Sequence, residues 1–200
     1  MILPVCFVDV DTQFDFMSPR GALYVPRAET LLPVLERLTR FAVDHGIPII
    51  ASLDAHRPDD PEFADFPPHC VKDTPGYRKI AETLLPRHVL IENSPLAGPI
   101  PEADQWLLEK QVFTFYDNVN TRRLLREAAT AERYVVYGVA TEYCVRADAA
   151  DLLADGRNVT ILTDAILPID AAAGEAALAE LQASGAAVAT SADLLALLAR

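Results

Sequence analysis

A thiol, an amine and a carboxylate stand at comparable points of three separated segments. Cys144 falls in "GVATEYCVRADAADLLADG", just past the apolar run "YVVYGVA" and in the first turn of the helix pattern that follows. Asp11 follows "CFVDV" and opens "DTQFDF", while Lys110 sits in the otherwise apolar "WLLEKQVFTFY", just before aromatics. If these groups meet, they can run nucleophilic acyl chemistry. Asp11 would take the thiol proton, Cys144 would attack, and Lys110 would hold the thiolate electrostatically and keep Asp11 charged. Unpaired N–H groups and the helix dipole favour thiolate at a helix start, so a free-thiol pKa of about 8.5 is expected to move down, with Thr141 as N-cap. Each group alone has a plainer reading: a small buried hydrophobe for Cys144, a turn residue for Asp11, a snorkelling lysine for Lys110.

A second set of donors lies in "DAHRPDDPEFADFPPHC", residues 54–70. The chain has four histidines (His45, His56, His69 and His88), and two of them are in this one stretch. Asp54 and His56 are two apart, so an extended backbone turns both to one side. His69 returns after two prolines that stiffen the loop, and Glu62 lies between. An aspartate, two imidazoles and a glutamate make a mixed N/O set suited to one divalent ion, zinc first, with iron(II) or manganese(II) as alternatives. The plainer reading is a polar surface loop. His69 and Cys70 do not make a dyad, because neighbours in an extended chain point opposite ways.

The elements that must position these groups alternate. "ILPVCFVDV", "IPIIASLD", "HVLIEN", "RYVVYGV", "NVTILTD" and "AAVATS" read as strands, with "WLLEKQV" as a possible further one. "AETLLPVLERLTRFAVDHG", "TRRLLREAATA", the segment after "GVA", "AAAGEAALAELQASG" and "ADLLALLAR" read as helices; Gly46 ends the first, and Pro33 must lie in its first turns. Near-continuous apolar strands separated by helices imply a mostly parallel sheet covered on both faces, a Rossmann-like three-layer α/β/α sandwich. In such sheets sites form outside the C-terminal strand ends, where Asp11, Asp54, Lys110 and Cys144 all fall. The 200 residues read as one domain, 1–200. The 54–77 stretch is long for a plain connection and reads as functional.

Composition excludes several classes. A net charge of −12 repels phosphate, so nucleic acid is not the expected partner. Three widely spaced cysteines (Cys6, Cys70 and Cys144) are not a disulfide framework and suit a reducing cytoplasm. "MILPVCFVDVD" lacks a basic leader and reads as a strand, and no apolar run is long enough to cross a bilayer. Cys6 reads as core, His45 and His88 as lying at the edge away from the site, Asp164 as a cap for the next segment, Asp15 as a bond to loop backbone, and Trp106 as core or subunit contact.

"VDVDTQFDF", the lysine before "VFTFYDN", and "GVATEYCV" resemble, in order and context, the three signatures of the isochorismatase-like cysteine hydrolases. The resemblance implies that family's α/β/α fold, a catalytic Asp11, Lys110 and Cys144, a cis peptide at Val139–Ala140, and an oxyanion hole made by the N–H groups of Ala140 and Cys144. True isochorismatases lack a cysteine at this position, so Cys144 points to amide hydrolysis. "DAH", "DPEF" and "FPPHCVKDTPG" look like the metal loop of the nicotinamidases within that superfamily. This implies one divalent ion on Asp54, His56 and His69, with Glu62 at a variable position where several members have histidine. Asp65 is the rival for that place, and Asp73 replaces the usual glycine. The implied activity is hydrolysis of nicotinamide to nicotinate and ammonia through a cysteine thioester, with Phe16, Phe66 and Tyr116 walling the ring and Phe113 as a weaker candidate. The implied partner is a small-molecule amide, and a homo-oligomer is plausible. The alternatives are a related cysteine amidase for another small amide or carbamoyl compound, and a binding or redox-sensing protein in which Cys144 is oxidised.

Overall fold

Strands apolar on both faces need cover on both sides. In the computed structural model, which describes residues 4–199, β1 (Cys6–Val10) and α1 (Phe14–Met17) are followed by α2 (Leu32–His45), β2 (Ile49–Asp54), β3 (His88–Ile91) and β4 (Gln105–Lys110). Then come α3 (Thr121–Glu127), β5 (Tyr134–Val139), α4 (Arg146–Ala154), β6 (Val159–Leu167), α5 (Ala171–Ala183), β7 (Ala187–Ala189) and α6 (Ser191–Leu198). The strands form one sheet in the order β3-β4-β2-β1-β5-β6-β7, and every pairing is parallel. The expected strand start at Ile2 and Leu3, and the helix end at Arg200, lie outside the described residues.

Alternation along β1 sorts the two cores. Cys6, Val8 and Val10 pack with Leu124 and Leu125 of α3, Ala149 and Leu152 of α4, and Leu181 of α5. Phe7 packs on the other face with Leu35, Leu38 and Ala42 of α2 and Leu194 of α6. That is the three-layer sandwich. From β1 the chain passes first to β2 on one side and, after β3 and β4, crosses to β5 on the other, so β1 and its neighbours β2 and β5 mark the topological switch point, where a crevice opens beyond the C-terminal strand ends.

The differences in extent have local causes. α2 starts at Leu32 after a 3₁₀ turn over Ala28–Leu31, with Pro33 in its first turn and Gly46 as a left-handed cap. α3 stops at Glu127, because the Thr130 hydroxyl donates to the carbonyls of Leu125 and Arg126. β6 runs past Asp164 because its register against β5 shifts between Val136 and Gly138. Asp164 caps α6 rather than the next segment, accepting from Ser191 N–H and Oγ at 2.7 and 2.6 Å. Gly138, at φ +119°, is required, since a Cβ there would meet the Val10 carbonyl oxygen at 2.1 Å. No helix among the described residues is long and apolar enough to cross a membrane.

Candidate active site

Register decides which strand ends meet. Asp54, the last residue of β2, pairs laterally with Lys110, the last of β4. Val10 of β1 pairs with Gly138 of β5, which puts Asp11 beside the segment leading to Cys144. Asp11 takes a left-handed φ of +48°, a region aspartate tolerates better than most residues. Its Oδ1 accepts from the Ser52 hydroxyl at 2.7 Å, and its own N–H donates back to Ser52 Oγ at 3.2 Å. Ser52 is two residues before Asp54, on the same side of β2.

Lys110 lies at the centre of the group. Its Nζ is 2.8 Å from Asp11 Oδ2, donates to Asp54 Oδ1, and donates to Cys144 Sγ at 3.5 Å. Burial works against charge on this lysine, but Asp11 and Asp54 outweigh it and hold the ammonium firmly. Burial also opposes charge on Asp54, yet Lys110 and the two histidines keep it ionised, well below the carboxylate range. Asp11 behaves differently. Burial raises its pKa, and Lys110 offsets only part of that while Asp54 adds to it. Its Oδ2 accepts no aligned hydrogen bond, so a lone pair is left for a proton. One lysine between two carboxylates leaves this group one negative charge in excess even with the thiol neutral, which opposes a thiolate and favours a proton on Asp11.

Cys144 does not sit in an ordinary first α-helical turn. Thr141–Val145 is a π-helical turn that runs into α4, a local irregularity common at functional sites. Thr141 is not the cap: the cap position is Ala140, and the Thr141 hydroxyl is buried without a partner. The Val139–Ala140 peptide is cis. The N–H groups of Tyr143 and Val145, on either side of Cys144, both donate to the Ala140 carbonyl at 3.2 Å. The expected fall in the thiol pKa is reversed. Burial pushes the thiol well up, Asp11 adds to this, and Lys110 opposes both. A helix end buried beside a carboxylate does not act as an exposed one would. In the resting site the proton therefore stays on sulfur until a base takes it.

Beside this group, donor atoms of Asp54, His56 and His69 lie within 4.8 Å of one another, all buried. Asp54 Oδ2 is 3.7 Å from His56 Nε2 and 3.6 Å from His69 Nε2, and Glu62 Oε1 is 3.8 Å from His69 Nε2. These separations are too long for hydrogen bonds. They are close to the roughly 3.4 Å expected between ligands on a tetrahedral ion with bonds of about 2.1 Å. Neither ring nitrogen of His56 makes a hydrogen bond, although the ring is fully buried. His69 Nδ1 faces the Pro67 carbonyl at 2.9 Å, which frees its Nε2 for a ligand. Burial disfavours charge on His56, but Asp54, Asp60 and Glu62 outweigh it and raise its pKa to about 9. A site that concentrates negative potential on buried, unpartnered nitrogens can hold a divalent cation. Glu62 is half-buried at its edge, whereas Asp65 is exposed.

The loop is braced from the β1 end. Asp15 Oδ2 accepts from Cys70 N–H at 2.8 Å and Oδ1 from Ala22 N–H at 3.0 Å, fixing the residue next to His69. Gln13 donates to the carbonyls of Asp54 and Tyr77 and accepts from Asp54 N–H. A mostly apolar pocket opens over both groups. Cys144, Ala140, Asp54, Glu62 and His69 face it, and Phe16, Leu23, Phe66, Phe113, Tyr143 and Ile169 wall it. Phe16 and Phe66 thus fall where the sequence places them. Tyr116 does not: its ring lies under the Arg122 guanidinium, 5.1 Å from centroid to Cζ. Tyr143 and Phe113 stand in its stead, with ring centroids 5.5 Å apart and each against Phe66. Tyr143 adjoins the nucleophile in sequence, the one signal that could have found it. A larger cleft at the N-terminal strand ends, by Val43, Gly46 and Trp106, gathers no comparable chemistry. Lys110 between two carboxylates and a thiol, next to a mixed Asp/His donor set, is the arrangement of a cysteine-nucleophile amidohydrolase.

Fold and site together define a cysteine hydrolase of the isochorismatase class. The isochorismatase domain model matches residues 5–193, and the chain belongs to that family. Among individual relatives, the nicotinamidase of Escherichia coli K12 is 27% identical, over 95% of this chain and 96% of its own length. The nicotinamidase of Saccharomyces cerevisiae is 28% identical, over 80% of this chain and 86% of its own. The crystal structure of Pyrococcus horikoshii pyrazinamidase in complex with zinc superposes with a TM-score of 0.77 at 30% identity, covering 93% of this chain and 98% of that one.

Proposed function

We propose that this protein hydrolyses nicotinamide to nicotinate and ammonia. One observation carries the reading: the thiol, with its acid–base partner buried behind it, faces an apolar, aromatic-walled pocket that Asp54 and His69 of the Asp/His donor set also line. The relatives' names and the zinc in the pyrazinamidase structure support it. Asp54, His56 and His69, with Glu62 beside them, would hold a divalent ion, which would supply an electrophilic anchor for a ring nitrogen; zinc fits the donor set best. Phe16, Phe66, Phe113 and Tyr143 hold the flat ring and exclude water.

Asp11 Oδ2 takes the proton of Cys144, and Sγ bonds to the carboxamide carbon. Charge moves to the carbonyl oxygen, where the N–H groups of Ala140 and Cys144 receive it; losing one such donor typically costs about 3–4 kcal/mol. Asp11 returns the proton to the departing nitrogen, the C–N bond breaks, and ammonia leaves a thioester. Water then adds to that carbonyl as Asp11 takes its proton. The C–S bond breaks, the acid departs, and sulfur recovers the proton. Lys110 stays cationic throughout and lets Asp11 alternate between its two forms.

Nicotinate production places the protein in NAD salvage, in the reducing cytoplasm that three unpaired cysteines suit. The test is ammonia release from nicotinamide, with and without chelator. Turnover that a chelator abolishes and zinc restores supports the proposal. Turnover of a carbamoyl compound but not of nicotinamide would transfer the site to a related amidase.

A further inference from the structure

We infer that Asp60 is a positioning residue whose single carboxylate sets both His56 and Glu62 for the divalent ion. The inference rests on the metal reading above and adds a residue outside the donor set. Asp60 Oδ2 lies 3.1 Å from His56 Nδ1, while Oδ1 accepts from Glu62 N–H at 3.0 Å. The first contact is on the ring edge away from Asp54, which faces Nε2. The second caps the 3₁₀ turn Pro61–Ala64 that carries Glu62.

The His56 ring is closed off from solvent, so water cannot orient it. The Nδ1–Oδ2 approach is close but not aligned as a hydrogen bond. A ligand on Nε2 confines the ring proton to Nδ1, and Asp60 is the carboxylate positioned to accept it. His69 solves the same problem differently, with the Pro67 carbonyl against its Nδ1. That backbone partner is beyond the reach of side-chain substitution, whereas the partner of His56 is not. Through its other oxygen Asp60 also fixes the start of the turn bearing Glu62, so one residue ties an imidazole and a carboxylate into the same frame.

Asp60→Ser separates the two jobs. Serine can still cap the turn but no longer reaches His56 with an anion; Asp60→Ala loses both. Zinc and cobalt(II) dissociation constants would be measured on the full, metal-free chain by competition with a chromophoric chelator, together with the cobalt absorption spectrum and the metal-free melting midpoint. The expected result is zinc binding about 10–100-fold weaker in Asp60→Ser, weaker still in Asp60→Ala, an altered cobalt spectrum, and for Asp60→Ser only a modest fall in the metal-free midpoint, since Asp60 also faces the metal-free His56 ring. Wild-type affinity in Asp60→Ser overturns the inference. If that variant does not fold, the isosteric Asp60→Asn decides: weaker zinc binding supports the role and unchanged binding removes it. If the unsubstituted chain binds neither ion, the metal reading falls and this inference with it. If it binds zinc yet leaves nicotinamide intact, only the substrate assignment falls.

Discussion

Lys110 Nζ lies 2.8 Å from Asp11 Oδ2, and both side chains are wholly removed from solvent. The same ammonium donates to Asp54 and to Cys144. This one cation bridges a carboxylate just past β1 and another at the end of β2, so the C-terminal sheet edge depends on it for stability as well as chemistry. Removing one member of a buried ion pair strands the other, typically at about 3–5 kcal/mol. Lys110→Met is expected to lower unfolding free energy by about that much in urea titrations, and to abolish turnover. Adding Asp11→Asn should recover part of the stability and none of the activity. An unaltered midpoint in the single variant would show that the cluster is not electrostatically coupled.

Cys144 is buried in packing that a small apolar side chain can share. Cys144→Ala should therefore melt within a few degrees of the unsubstituted chain. Ammonia release should fall by at least about 10⁴-fold, the scale on which nucleophile removal operates. A variant that retains turnover would remove the thioester from the pathway.

The aromatic walls offer a sharper contrast. Phe113 faces the pocket, whereas Tyr116, three residues on, stacks under Arg122. Phe113→Ala is expected to raise KM about tenfold with a smaller effect on kcat, since it loses ring contact made equally in ground and transition states. Tyr116→Ala should leave KM unchanged. Steady-state kinetics on nicotinamide would read both, and the reverse pattern would return Tyr116 to the site.

Those two aromatics also show how far the sequence could be read. The sheet was legible because each strand is an apolar run bounded by turn residues, and Asp11, Lys110 and Cys144 stand where such runs end. The lateral pairing of Asp54 with Lys110 was not, because strand order and register are set by packing across the whole sheet. Tyr116 and Tyr143 could not be sorted, since a π-helical turn rather than an α-helical one decides where Tyr143 points. Asp60 was hidden among the acids of a loop that also holds Asp59, Glu62 and Asp65. Only three-dimensional proximity to His56 distinguishes it. The fall expected in the Cys144 pKa failed for a related reason: the helix-end argument is local, whereas burial is a property of the folded whole.

Asp148, one turn beyond Cys144 on α4, gives the last prediction. It is fully buried, its Oδ1 accepts from Phe115 N–H at 2.7 Å, and its Oδ2 has no partner. Burial raises its pKa far above the carboxylate range; Lys110 opposes this, while Asp11 and Asp151 reinforce it. The sign follows from proton counting. Above the ordinary carboxylate pKa the unfolded chain has released this proton while the folded chain still holds it, so stability falls as pH rises. The loss runs at about 1.4 kcal/mol per pH unit until the folded-state pKa is reached. Asp148→Asn keeps an oxygen for Phe115 N–H and has no proton to lose. The difference in unfolding free energy between the two proteins should therefore change with that slope from about pH 4 upward, with the variant gaining on the unsubstituted chain. Denaturant titrations at several pH values would measure it. A difference that stays flat would mean that Asp148 titrates alike in the folded and unfolded states, and that another group holds the 113–117 segment against α4.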